Sequence, residues 1–163
     1  TDEKDIRQMA KIGSQKGLIE ADEAAMISKV FQLNDLKAKD LMIPRVSAPS
    51  INGCETLENI SEIIVSNTSP WWVVLGDKVD KIQGIAKREK LLTAIINKNK
   101  STLITELCEP VEYIPEMIKI DKLLTTFDND NKGVKVVVDE FGGFVGLIGA
   151  EAILSVLAGW WKK

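Results

Sequence analysis

The feature that most constrains this chain is an internal repeat. A first copy reads as an extended Val46–Ile51, a helix over Leu57–Ser66, a strand over Trp71–Leu75 (WWVVL), a polar turn over Gly76–Lys81, a strand over Ile82–Ala86 (IQGIA) and a helix over Lys87–Asn97. The helical stretch carries Leu57, Ile60, Ile63 and Ile64 on one face. A second copy reads as an extended Val111–Ile114, a helix over Ile120–Asp128 carrying Leu123, Leu124 and Phe127, a strand over Val134–Val138 (VKVVV), a turn over Asp139–Gly143 (DEFGG), a strand over Phe144–Ile148 (FVGLI) and a helix over Ala150–Ala158. Gly84 aligns with Gly146 and Val74 with Val137, an offset of roughly 62 to 63 residues. Each copy is βαββα, and Thr102–Pro110 joins them, Pro110 echoing Pro44.

A three-stranded sheet with helices on one face leaves its other face apolar, so neither copy is stable alone. Val73, Val74 and Leu75, like Val136, Val137 and Val138, are apolar at successive positions, so both faces of each sheet are expected to be buried. The expected partner for the second face is the other copy, sheet against sheet across a pseudo-twofold axis. Val74 and Val137 are expected near that interface, with a cleft at each end of it. Ahead of the repeats, Ile6, Met9 and Ala10 give a helix over about 2–12, with Thr1 or Asp2 able to cap it and Gly13 and Gly17 ending it. A second helix is expected over 22–33, with Asp22 as N-cap and Met26, Ile27, Val30 and Phe31 as its stripe. Leu36–Pro44 reads as a linker in which Ile43, preceding proline, leads into a strand. The fold class is therefore α+β: a duplicated βαββα unit with a helical N-terminal lead-in. The expected divisions are 1–40, 41–108 and 109–163.

Composition narrows the chemistry. At 163 residues, 45% hydrophobic and 28% charged, the chain is ordinary for a globular protein. Its 21 Lys and Arg against 24 Asp and Glu give a net charge of −3, which provides no electrostatic footprint for nucleic acid. Histidine is absent, which removes Ser-His-Asp and Cys-His triads and His-ligated zinc together. No nucleophile–base pair is visible, so no enzyme is expected, and no metal site. Cys54 and Cys108 are far apart in sequence and read as packed, reduced thiols. No run of 18 apolar residues is present, and the chain opens on Thr1, so it reads as part of a longer protein.

The β-α-β-β-α duplication resembles a CBS-domain pair, or Bateman module. Met42-Ile43-Pro44-Arg45 opening the first copy resembles an MxPR motif, and Val138-Asp139-Glu140-Phe141-Gly142-Gly143, continuing to Gly146-Leu147-Ile148, resembles a VDEFGGxxGLVT stretch. Both are features of the CorC or hemolysin-C-like membrane proteins, relatives of the CNNM magnesium transporters. The lead-in before MIPR is similar to the segment between that family's transmembrane domain and its CBS pair. The resemblance implies a regulatory module on the cytoplasmic side of the bacterial cell membrane, in a protein of magnesium and cobalt efflux. It implies a transmembrane domain before the pair and a small α/β domain after it, neither contained in the sequence, and a homodimer built through CBS–CBS contacts.

The resemblance also implies an adenine nucleotide, AMP or ATP, in an inter-repeat cleft, lined here by Pro44, Val46, Trp72, Lys87, Lys90, Val111, Tyr113, Gly149 and Ala150. In such pairs a Thr or Ser at the start of the last helix of a repeat, with an Asp three residues on, holds phosphate and ribose. Where the family reads GLVTLED, this chain has Gly149 at the hydroxyl position and Ala152 at the carboxylate position. In the first copy those positions are Lys87 and Lys90. Glu151 and Glu89 lie one residue early, about 100° round the helix. A hydrogen bond to a charged acceptor contributes about 1.5–3 kcal/mol, so weak binding is expected, with a dissociation constant no tighter than about 100 μM. The alternative reading is a degenerate pair that acts only as a dimerisation scaffold.

Other motifs read as structure. DEFGG is expected to be a tight turn in which Gly142 and Gly143 supply positive φ and Phe141 folds onto the sheet. Asp128–Gly133 begins like a calcium loop but has Lys132 where an oxygen ligand is required and is followed by a strand. Trp71 and Trp72 are expected to point to opposite faces of their strand, one into the core and one toward a cleft or an interface. Trp160 and Trp161, before Lys162 and Lys163, are expected to be covered by a continuation or a partner chain.

Overall fold

The computed structural model describes residues 3–17, 20–78, 81–99, 101–127 and 132–161. In chain order the elements are α1 (Glu3–Gln15), α2 (Ala21–Asn34), α3 (Ala38–Leu41), β1 (Ile43–Pro44), β2 (Ser50–Asn52), α4 (Leu57–Ser66), β3 (Trp71–Leu75), β4 (Ile82–Lys87), α5 (Arg88–Ile96), a 3-10 turn (Ile104–Leu107), β5 (Tyr113–Pro115), α6 (Ile120–Phe127), β6 (Val134–Val138), β7 (Phe144–Gly149) and α7 (Ala150–Trp161). They fall into two compact units: residues 42–116 with 134–148, and residues 1–41 with 117–133 and 149–163. The first unit takes the first copy whole, with its helices α4 and α5, and the strands of the second copy; the other takes the lead-in helices with α6 and α7.

The sheet-bearing unit holds strands in the orders β2-β3-β4 and β1-β7-β6-β5. In each copy a short strand runs parallel to the next: Ser50 opposite Val73 in one, Tyr113 opposite Val136 in the other. Residues alternate along β3. Trp72 and Val74 pack with Leu57, Ile60 and Ile64 of α4 and Leu91 and Ala94 of α5. Val73 instead packs with Ile85, Val134, Val136, Phe144 and Leu147, so the two sheets meet through this second core. The sheet-to-sheet packing is as expected, but the register is shifted by one residue. Val73 and Val136 lie at the interface, while Val74 faces the helices and Val137, equally buried, lies on the opposite face from Val136. α4 starts where Thr56, in extended geometry, accepts a hydrogen bond from the Asn59 N–H at 3.1 Å. Of its expected stripe, Ile63 is exposed.

The copies exchange their edges. β1, which precedes the first copy, pairs antiparallel with β7 of the second, Ile43 opposite Leu147 and Pro44 opposite Gly146. Glu109, which precedes the second copy, bridges β4 of the first: Ile85 N–H donates to the Glu109 carbonyl at 3.0 Å and Glu109 N–H to the Ile85 carbonyl at 2.7 Å. The crossings explain the aligned glycines. A Cβ on Gly84 would lie 2.6 Å from the Glu109 carbonyl oxygen, and one on Gly146 would lie 2.7 Å from that of Ile43.

The second unit is helical. α1 packs on α2, and α2 packs on α6 and α7, with Leu33, Ile120, Leu123 and Ile153 buried. The lead-in is thus joined to the helices of the second copy; Ile120 N–H donates to the Leu36 carbonyl at 3.0 Å and Ala38 N–H to that of Ile118 at 2.9 Å. Several local expectations change. Gly13 is inside α1, and the positive φ of +73° falls on Gly17. The residue before α2 is Glu20, without a capping hydrogen bond, and Asp22 sits in the first turn. The expected linker contains α3, whose entry is fixed by Lys37 N–H donating to the Asp40 carboxylate at 2.9 Å. In the sheet-bearing unit, Val46 is in a turn, not a strand, because Ser47 and Ala48 N–H both donate to the Pro44 carbonyl at 2.9 Å.

Candidate functional site

A cleft of about 520 Å³ opens where the first copy's strands meet its last helix, lined by Thr68, Pro70, Trp71, Lys87, Arg88, Glu89 and Leu92. Trp71 and Lys87 are cross-strand partners at the ends of β3 and β4. Lys87 Nζ sits 5.5 Å from the Trp71 ring centroid, a cation–π pair on the cleft wall. Lys87 is also the N-cap of α5 and its side chain does not cap it, so backbone N–H groups of the first turn are turned toward this end of the helix. Arg88 is occupied elsewhere: its Nε donates to the carbonyls of Ile64 at 2.9 Å and Asn67 at 3.1 Å, and its Nη2 to Val65 at 3.3 Å. A cation on the last carbonyls of α4 satisfies the negative end of that helix and anchors the 67–70 segment that carries Thr68 and Pro70.

Sequence reasoning placed Trp72 in the cleft; it is 0% exposed, its indole N–H donating to the Ser69 carbonyl at 3.1 Å. Trp71 is the tryptophan that lines the cleft, and with Thr68 and Pro70 it was not among the expected residues. Cross-strand reasoning could have found it, since a residue opposite Lys87 shares its face. Lys90 pairs with Glu109 at 3.8 Å, outside the cleft lining. Pro44 and Val46 are exposed beside the β1 edge, Val46 at 94%. Val111 packs against the inter-sheet core and Tyr113 is half exposed on β5. Gly149 and Ala150 belong to the helical unit, where Ala150 N–H donates to the Gly133 carbonyl at 3.0 Å.

The DEFGG segment is turn chemistry. Asp139 Oδ1 accepts from Phe141 N–H at 2.9 Å and Gly143 N–H at 2.8 Å, and Gly142 N–H donates to the Asp139 carbonyl at 3.0 Å. Only Gly142 of the two glycines has positive φ, +81°, and Phe141 does not fold onto the sheet but is 88% exposed. Lys135 on β6 is fully buried and pairs with Glu112 at 2.6 Å. A second groove, about 500 Å³, runs between α4 and α5 and is lined by Leu57, Ser61, Ala94 and Ile95 among others. Burial raises the pKa of Cys108, whose thiol lies 3.7 Å from the Ile104 carbonyl, while Cys54 is exposed. Among the described residues no cluster of acidic, Cys or His side chains could hold a metal, and no helix is long and apolar enough to cross a membrane. Asp128–Asn131 of the calcium-like loop, Thr1 and Asp2, and Lys162 and Lys163 lie outside the described residues; Trp160 and Trp161 end α7.

No protein-family model matches the chain. Among curated proteins it is 39% identical to a UPF0053 protein of Synechocystis, over 98% of this chain and 46% of that protein. It is 25% identical to the magnesium and cobalt efflux protein CorC of Escherichia coli, over 95% of this chain and 53% of CorC. The chain therefore spans about half the length of these relatives. Among solved structures it is similar to the CBS domain of a bacterial CNNM/CorC family Mg²⁺ transporter, with a TM-score of 0.83 at 24% identity, covering 98% of this chain and 97% of that one. A structure of such a CBS domain in complex with ATP matches with a TM-score of 0.75 at 27% identity, covering 84% of this chain and 97% of that one. The chain has the fold of a CBS-domain pair, and its structural neighbours are the CBS domains of CNNM/CorC transporters.

Proposed function

We propose that this chain is the regulatory CBS-pair module of a bacterial membrane protein of magnesium and cobalt efflux, and that its first-copy cleft takes an adenine nucleotide weakly. The observation that carries the reading is the conjunction, in that cleft, of an aromatic wall at Trp71, a cation at Lys87 and the N-terminus of α5, which no side chain caps although the Arg88 N–H is taken by the Pro70 carbonyl at 2.9 Å. Such a cleft offers stacking to a base and electrostatic attraction to a phosphate. The ATP complex of a similar CBS domain supports it. The module works on the cytoplasmic face of the cell membrane, within a longer polypeptide whose transmembrane and C-terminal domains are its partners, and as a homodimer. Nothing in this role requires catalysis, and no nucleic acid is involved.

Weak binding follows from the missing acceptors. Lys90 and Ala152 stand where a ribose carboxylate is expected, and Lys90 is drawn to Glu109. The expected dissociation constants for AMP and ATP are no tighter than about 100 μM. Calorimetric titration with ATP, ADP and AMP, with and without Mg²⁺, tests this. Trp71→Ala and Lys87→Ala should each abolish the residual heat. Ala152→Asp with Gly149→Thr should raise affinity through the second copy; a Cβ on Gly149 meets nothing nearer than the Gly133 carbonyl at 3.4 Å, an ordinary contact. Low-micromolar binding untouched by Trp71→Ala would refute the cleft assignment. The absence of any heat would favour the scaffold reading, which the loss of both acceptor positions already recommends.

A further inference from the structure

Among the differences between the two copies is one pair of equivalent positions at the start of the central strand. In the first, Val73 N–H donates to the Pro49 carbonyl at 2.9 Å and the neighbouring strand residue is Trp72; in the second, Val136 N–H donates to the Glu112 carbonyl at 3.0 Å and the neighbouring residue is Lys135. Pro49 therefore corresponds to Glu112 and Trp72 to Lys135. Where the first copy has an apolar pair, the second has an ion pair at 2.6 Å, with Lys135 0% exposed and the Glu112 side chain 51% exposed. An ion pair of this kind adds little stability over an apolar pair of similar volume, since desolvation offsets the attraction.

We infer that Lys135 is an anion-binding group held shut by Glu112, and that a phosphate oxyanion opens it by taking the carboxylate's place on the ammonium. Three features support the exchange. The ammonium has three donors and needs a counter-charge where it lies. Replacing a carboxylate by an oxyanion leaves no buried charge stranded. The Glu112 side chain can leave without unpairing the strand, because its backbone carbonyl, not its carboxylate, holds Val136. The half-exposed Glu112 and Tyr113 place the pair one side chain from solvent. This site is separate from the Trp71 cleft and does not depend on that reading.

The test is the melting temperature in inorganic phosphate against chloride at matched ionic strength, on wild type, Glu112→Gln, Lys135→Met and the double variant. Glu112→Gln removes the competing charge, so its apparent affinity for phosphate should rise at least about tenfold over wild type. Lys135→Met should lose the phosphate-specific shift, alone or combined with Glu112→Gln. Should Glu112→Gln not fold, the comparison of wild type with Lys135→Met decides: a shift present in the first and absent in the second supports the site. Adenosine should give no shift, and the phosphate response with its dependence on Lys135 should persist in a Lys87→Ala background, which removes the phosphate-attracting cation of the first-copy cleft. An equal response in all variants, or a gain in Glu112→Gln that persists without Lys135, overturns the inference.

Discussion

Gly84→Ala and Gly146→Ala test the exchange of edges directly. At Gly84 the new Cβ would lie 2.6 Å from the Glu109 carbonyl oxygen; at Gly146 it would lie 2.7 Å from the Ile43 carbonyl oxygen and 2.5 Å from Met42 Sδ. A carbon–oxygen contact needs about 3.3 Å, so the crossing segment must retreat by roughly 0.6–0.7 Å in either case. The obstacle is backbone, which cannot swing aside, and the retreat strains the bonds between Ile85 and Glu109 or the β1–β7 pairing. Overpacking of this kind costs about 1–3 kcal/mol. For a chain of this size that is a fall of about 2–12 °C in melting temperature. Gly76→Ala is the control: its nearest contact, at 2.9 Å, is the movable end of the Gln83 side chain, and its cost should stay within about 0.5 kcal/mol. Urea unfolding followed by tryptophan fluorescence and by far-ultraviolet dichroism gives the free energies, and coincident curves establish that the two units unfold together. If both variants match wild type, or if Gly76→Ala costs as much, the crossing segments do not press on these glycines and the argument fails.

Three further outcomes follow from the same packing. Trp72→Ala should destabilise by about 3–5 kcal/mol, because it empties the core beneath α4 and α5, while Trp71→Ala should cost clearly less; equal losses in urea titrations would contradict the face assignment. Burial raises the Cys108 pKa, so its thiolate fraction at pH 8 is below that of an ordinary cysteine, and iodoacetamide followed by peptide mass spectrometry should label exposed Cys54 first, with the difference narrowing as pH rises. Ile63 of α4 and Ile96 of α5 are exposed apolar side chains on the first copy's helices, and sedimentation should find a dimer; a monomer of about the chain mass at high micromolar concentration refutes the dimer.

The duplication was legible because each copy repeats strong local signals. WWVVL and VKVVV are strands at the expected bounds, and α4 runs over the predicted Leu57–Ser66. Strand register was not legible. Val73 and Val74 are equally apolar, so hydrophobicity cannot say which faces helices and which faces the other sheet. The same ambiguity misplaced Trp72: two adjacent tryptophans differ only by the face they take. The exchange of edges was hinted at by the paired prolines and glycines, yet a two-residue strand carries no period to read. The packing of the lead-in on the second copy's helices is a tertiary contact between segments some hundred residues apart, for which one amphipathic stripe gives no address. Lys135 was hidden because a lysine within VKVVV reads as an outward-facing strand residue, and only the tertiary structure shows it enclosed.

How firmly the first copy is tied to the segment that leads into the second depends on which contact carries the tie. Two are present: the Lys90–Glu109 ion pair at 3.8 Å, with side chains 53% and 27% exposed, and the pair of backbone hydrogen bonds between Glu109 and fully buried Ile85. A half-exposed ion pair at that separation contributes about 0–1 kcal/mol and weakens with salt. Each backbone bond contributes about 1 kcal/mol net, and breaking one inside the core strands a carbonyl at about 1–3 kcal/mol more. The backbone bridge therefore dominates. Lys90→Ala should lower stability by less than about 1 kcal/mol, and by less still in high salt. Glu109→Pro removes the N–H that satisfies the Ile85 carbonyl and should cost at least about 2 kcal/mol at any ionic strength. If Lys90→Ala proves the more damaging of the two in urea unfolding, charge rather than the backbone bridge joins the copies at this point.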